Sequence, residues 1–277
     1  MIEIKDLAFS YGNVPVLKSI TTTLEEGRIY GLLGENGVGK TTLLTLLCGL
    51  KRVTGGSITT DGENPFDRTT SLLQNQYYLP DEVLPVPMKA ESFAKERGRF
   101  WPNYDHTRFL GIMREFENDP DKKMSQMSAG QLKKVYISLA LACGCKYIFM
   151  DEPTNGLDIP SKAQFRGAIM KYTSEASTIV ISTHQVRDLE NIIDPIMILD
   201  RQDVLLNATV EEITGRLYFD YGTQLHPESL YSEQLPGGFI QVRPNTTGED
   251  SKINVEALFN AVHKNKELIK GMFNNKQ

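Results

Sequence analysis

The stretch Gly34-Glu35-Asn36-Gly37-Val38-Gly39-Lys40-Thr41 limits this chain more than any other. A glycine, four residues, then Gly-Lys-Thr is the spacing of a loop wrapped around a polyphosphate. Its glycines let the backbone turn so that N–H groups point inward. A helix starting near Lys40 aims its positive end at the same anion. Lys40 then reaches the β- and γ-phosphates, and the Thr41 hydroxyl binds Mg²⁺. Such a loop needs a strand before it and a helix after it. Arg28–Leu33 reads as the strand, and the helix should run from Lys40 to a stop near Gly49.

Further apolar runs extend the pattern. Lys146–Met150 ends in two acids, Thr178–Ser182 is β-branched, and Pro195–Leu199 is a third run. Runs of this kind between helical stretches are expected of buried parallel strands, so the class is α/β. Residues 82–135 differ. Pro85 and Pro87 open the segment, and helical stretches follow at Met88–Phe100 and Asp105–Glu117 with no strand-like run. This predicts a helical subdomain inserted into a sheet-bearing core. The character shifts again after about residue 205. Leu217–Phe219 and Phe239–Val242 suggest strands, and Val255–Phe273 suggests one closing helix. The reading is therefore a main domain at 1–205 and a small accessory domain at 206–277.

Several side chains can carry chemistry around the loop. Asp151, at the end of its strand, can hold Mg²⁺ through water. Glu152 points elsewhere and can accept a proton from the attacking water or polarise it. Seen alone, an acid pair after a strand is usually just a solvated strand end. Met127-Ser128-Ala129-Gly130-Gln131 precedes a helix with Leu132, Val135, Leu139 and Ala142 on one face. Ser128 is a natural N-cap, and the bland reading stops there. A Ser hydroxyl and a Gly amide at a helix start also make a second anion site. Two such sites in one chain make sense if two copies pair head to tail. His184 follows the strand at 178–183, on the sheet edge where ligands sit in open α/β folds. It can bond the γ-phosphate, orient Glu152, or be merely structural. Tyr11 could stack on an adenine or simply pack within its strand.

The 277 residues carry 30 Lys and Arg against 35 Asp and Glu, a net charge of -5. That balance argues against broad, sequence-independent nucleic-acid binding. Cys48, Cys143 and Cys145 are odd in number and sit in apolar settings, which suggests reduced thiols. Cys143 and Cys145 could be read as a metal pair, but no second pair exists, and buried small side chains fit better. The alternating N-terminus is not a signal peptide. No window approaches the roughly 18 apolar residues of a membrane span, so any membrane role comes through a partner.

Together these residues resemble the ATP-binding cassette family over residues 1 to about 200. The loop at 34–42, Met127–Gln131, Asp151-Glu152-Pro153, Asn155-Gly156-Leu157-Asp158 and His184 occur in the family's order. The resemblance implies a P-loop, RecA-like core with an N-terminal antiparallel β subdomain. It implies ATP with Mg²⁺ as cofactors, and nucleotide contacts from Asn36, Gly37, Gly39, Lys40, Thr41 and Thr42, with Tyr11 on the adenine. It implies Ser128, Gly130 and Gln131 on the nucleotide of a second copy, and Asp158 linking the two sites of the homodimer. It implies membrane subunits as partners and a cytoplasmic place on the inner face of the membrane. Trp101-Pro102-Asn103-Tyr104-Asp105 and the C-terminal appendage are similar to bacterial exporters of the ABC-2 type. Two departures stand out. Ala129 replaces the usual Gly. At Tyr78-Leu79-Pro80-Asp81 the family places Gln, so either Asp81 takes that role near Mg²⁺ or Gln74 or Gln76 does.

Transporter motor is the leading reading. The runner-up is a soluble cassette ATPase acting on ribosomes or nucleic acid. Only 87 residues separate Lys40 from Ser128, with no heptad run, which leaves no room for the coiled coil of DNA-repair cassettes. A third reading, a switch that does not hydrolyse, sits poorly with both Glu152 and His184.

Overall fold

The computed structural model describes residues 1–273. β1 (Ile2–Tyr11) and β2 (Val14–Leu24) form a hairpin, and β3 (Ile29–Leu33) leads through the Gly-rich loop into α1 (Lys40–Leu47). β4 (Gly55–Thr60) pairs with the free edge of β1, giving an antiparallel sheet in the order β2-β1-β4. α2 (Thr70–Asn75) then runs straight into β5 (Gln76–Leu79).

The inserted segment carries α3 (Ala90–Gly98), α4 (His106–Glu115) and the first half of α5 (Ala129–Ala142). Both predicted helices are shorter than their apolar pattern. Lys89 is extended and bridges to Lys123, and at the far end of α4 Glu117 has a φ of 51°. Asp105 caps α4 by accepting from the Arg108 amide at 3.0 Å.

β6 (Tyr147–Asp151), α6 (Ile159–Tyr172), β7 (Thr178–Thr183), β8 (Ile196–Leu199) and β9 (Val204–Ala208) complete the core. The central sheet has the order β5-β6-β7-β3-β8-β9, parallel except for the antiparallel edge strand β9. Side chains of β6 alternate between its two faces. Tyr147 and Phe149 join Leu43, Leu44 and Leu47 of α1 under the antiparallel sheet. Ile148 and Met150 join the helices of the other face. With both faces covered, the strands read as unbroken apolar runs.

The expected boundary near residue 205 falls inside β9, whose Val204, Leu206 and Ala208 pair with β8. Beyond it come α7 (Val210–Arg216), then β10 (Leu217–Gly222), β11 (Tyr231–Leu235) and β12 (Gly238–Pro244) in a sheet ordered β10-β12-β11. The single closing helix expected over 255–273 is two helices, α8 (Val255–Lys264) and α9 (Lys266–Phe273). Asn265 breaks them: it leaves the helical region at φ -130°, and its amide donates to the Leu230 carbonyl at 2.8 Å. Leu217, Val242, Leu258 and Ile269 share one continuous core with α5 and the central sheet. Ion pairs from Lys266 and Lys270 to Asp200 and Asp203 hold α9 to the β8–β9 turn.

Candidate active site

β3 ends at Leu33, and the chain then curls through the glycine loop before α1 begins. Gly37 and Gly39 have φ of 76° and 117°, a region that strains any side chain. A methyl group at Gly39 would also sit 2.7 Å from Leu17. The Lys40 ammonium folds back into the loop, donating to the Gly34 carbonyl at 2.8 Å and the Glu35 carbonyl at 3.2 Å. Burial pushes its pKa down, and the nearby carboxylates of Glu152 and Asp151 oppose that shift. Those two carbonyls are weaker partners than a phosphate, so the side chain is set to exchange them for one.

The acids sit across the loop. Asp151 pairs in register with Ser182 of β7, is 2 % exposed, and accepts a hydrogen bond from the Ser182 hydroxyl. At Glu152 the backbone takes a φ of 44° while its N–H donates to the Ser182 carbonyl at 3.1 Å. This turn carries the Glu152 carboxylate to the end of β7. There the His184 Nδ1 is 2.9 Å from Oε1, and the His184 backbone N–H donates to Oε2 at 3.3 Å. A carboxylate can only accept, so the 2.9 Å contact needs the imidazole proton on Nδ1. Gln185 Nε2 lies 3.4 Å from His184 Nε2 on the other side of the ring.

Tyr11, Asn36, Gly37, Gly39, Lys40, Thr41 and Thr42 line one cavity of about 470 Å³ with Asp81, Asp151, Glu152, Asn155 and His184. Tyr11 is half exposed on its wall, with its hydroxyl 3.3 Å from Thr42 Oγ1 and the Lys51 ammonium over its ring. Asp81 accepts from Asn155 Nδ2 at 3.2 Å. Gln76 is elsewhere: it is buried, donates to the Cys48 carbonyl at 3.1 Å, and does not line the cavity. Of the three candidates, Asp81 lines the cavity and neither Gln74 nor Gln76 does. The Thr41 hydroxyl and Asp151 carboxylate are hard oxygen donors. Few protein ligands, completed by phosphate and water oxygens, is the donor set that suits Mg²⁺.

Four expected contacts lie outside this cavity. Ser128 and Gln131 form a reciprocal capping box at the start of α5, with bonds of 3.2 and 3.1 Å. Gly130 packs on a neighbouring loop, where a methyl group would come within 2.9 Å of the Gly156 carbonyl. Asp158 caps α6 by accepting from the Ser161 amide at 2.9 Å, and hydrogen bonds from the Ser161 hydroxyl and amide hold its carboxyl below the usual range. Two contributors, Ser182 and Gln185, were not singled out from sequence, and Asn155 was quoted there only as part of the run Asn155–Asp158. Ser182 is visible only once the register of two strands is known, and Asn155 and Gln185 only once two loops meet.

Residues 17–155 match the family described as ABC transporter. The chain belongs to that family. The ABC transporter ATP-binding protein YtrB of Bacillus subtilis is 30 % identical over 77 % of this chain and 73 % of its own. The linearmycin resistance ATP-binding protein LnrL of the same organism is 26 % identical over 81 % and 74 %. A solved structure, the ATP binding subunit of an ABC transporter, superposes with a TM-score of 0.70 at 25 % identity, covering 77 % of this chain and 91 % of its own. This ABC subunit therefore binds and hydrolyses ATP. Among the described residues no helix is long and apolar enough to cross a membrane.

Proposed function

We propose that this chain is the motor of a membrane exporter, working as a homodimer beneath separately encoded membrane subunits on the inner face of the membrane. The observation that carries the dimer is the division of the site. The glycine loop, Asp151 and the Glu152–His184 pair share one cavity, while the Ser128 turn and Asp158 lie outside it. A second copy set head to tail brings its own Ser128 turn to this cavity and receives the same in return.

In that arrangement Lys40 leaves the Gly34 and Glu35 carbonyls for the β- and γ-phosphates, and Tyr11 covers the adenine. Mg²⁺ held at Thr41 and Asp151 supplies charge neutralisation for the phosphates. Glu152, steadied by the His184 Nδ1–H, takes the proton of the attacking water or polarises it. ATP binding closes the dimer and hydrolysis reopens it.

Export is supported by the Trp101–Asp105 segment and by a relative named for resistance to linearmycin. Docking of the membrane subunit is supported by an aromatic groove between the core and the insert. Tyr77, Tyr78, Phe93, Arg97, Trp101 and Tyr136 line it. Phe93 and Trp101 are held inward by Tyr136 and Tyr77, while Phe100 stands 56 % exposed beside them.

Sizing chromatography tests the assembly. Glu152→Gln protein with ATP should elute as a dimer and return to monomer when ATP is removed. Ser128→Arg, which places bulk at the second half-site, should abolish the shift. Monomer under every condition contradicts the reading.

A further inference from the structure

Lys133 lies in the second turn of α5, and its side chain is 4 % exposed. Its Nζ donates to the Asp81 carbonyl at 2.6 Å and the Pro80 carbonyl at 3.2 Å, and stands 3.7 Å from Asp81 Oδ1. An ammonium is costly to bury without such partners, so these contacts fix the loop after β5 against the helix. Asp81 in turn lines the nucleotide cavity. Its carboxylate accepts from Asn155, and Asn155 Oδ1 lies 3.5 Å from the Gln185 amide beside His184. A polar chain thus runs from α5 through Asp81 to the Glu152–His184 pair. At the other end of the same helix segment, Gln131 is gripped by Asn118 at 2.8 Å and by Lys122 at 3.0 Å. These bonds tie the start of α5, two residues before Lys133, to the loop that follows α4.

We propose that Lys133 is a positioning residue for ATP hydrolysis, tying the Pro80–Asp81 loop of the cavity to the helix that begins at Ser128. This rests on the assignment of ATP to the cavity and of Glu152 to hydrolysis. Asp81 registers the nucleotide and its metal, and Lys133 passes that state to the turn offered to the second copy.

The test compares the ATPase of full-length wild type, Lys133→Met and Lys133→Arg, with Glu152→Gln as reference. Methionine keeps the buried stem and drops the ammonium. It should lower kcat about tenfold or more, the scale of losing a charged hydrogen bond, with nucleotide affinity unchanged. Arginine should recover most of the rate. Adding Asp81→Ala to Lys133→Met should cost no more than the larger single loss, because both cut one link. A Lys133→Met protein that melts cooperatively and turns over at the wild-type rate overturns the proposal, as do additive losses. Should Lys133→Met fail to fold, Asp81→Ala carries the test: it must lower kcat at unchanged affinity, and full turnover overturns the link. A fully active Glu152→Gln instead removes the underlying assignment. A dead Glu152→Gln beside a fully active Lys133→Met removes the link alone.

Discussion

At Glu152 the backbone departs from β6 with a φ of 44°, and that turn separates the two neighbouring acids. Asp151 stays on the strand line against Ser182, while Glu152 swings to His184. Glu152→Gln should therefore keep nucleotide affinity and lose about 10²- to 10⁴-fold in turnover, since the amide cannot serve as a base. Steady-state ATPase assays beside a nucleotide titration measure both quantities, and undiminished turnover contradicts the role. Asp81 makes a second prediction. A carboxylate near the phosphates is unfavourable unless a cation lies between, so wild-type turnover should depend more steeply on Mg²⁺ than that of Asp81→Gln. Superimposable magnesium titrations of the two proteins would remove Asp81 from the site. The loop residues and both acids were legible because each has a spacing of its own in the sequence. Ser182 was not, because a serine in a β-branched run gains meaning only from the strand beside it. Lys133 was not, because its partners are backbone carbonyls some fifty residues away.

Elements were legible where burial on both faces left an unbroken run, as in β3, β6, β7 and β8. They were less so where polar side chains decide the ends. Asn265 splits the last helix through a bond to Leu230, a contact that apolar periodicity cannot signal. The aromatic residues of the insert divide between core and surface. Phe93 is buried, and Trp101 donates to the Gln76 carbonyl at 3.0 Å, so both serve the fold. Phe100 and the groove residue Arg97 remain as candidates to meet a membrane subunit. Cysteines placed at 97 and 100 should crosslink to it in membranes, while one at Leu225, in the C-terminal unit, should not. The native Cys48, Cys143 and Cys145 are buried, which keeps the background low. Crosslinks confined to 225 would move the docking surface to the C-terminal unit.

At the scale of the whole molecule, the phosphate loop and the Ser128 turn lie apart in one chain. The cavity holds the phosphate loop with Glu152 and His184, and the Ser128 turn lies outside it. The sequence hinted at this through two anion-binding patterns in one chain, but their separation in space depends on how the insert sits on the core. In the C-terminal unit two strands and the closing helical stretch were legible, as β10, β12 and the α8–α9 pair, while α7 and β11 were not. Its shared core and ion pairs with the β8–β9 turn bind it into the same body. The central claim is that each hydrolytic site is assembled from two copies. Mixing Lys40→Ala protein, which lacks a working phosphate loop, with Ser128→Arg protein, which lacks a working second half, tests it most directly. Each is inactive alone, but every mixed dimer contains one intact site. Neither variant closes a homodimer, so only mixed dimers form, and the mixture should recover up to about half of wild-type ATPase activity, one working site of two in each. A mixture no more active than its separate components would contradict the account.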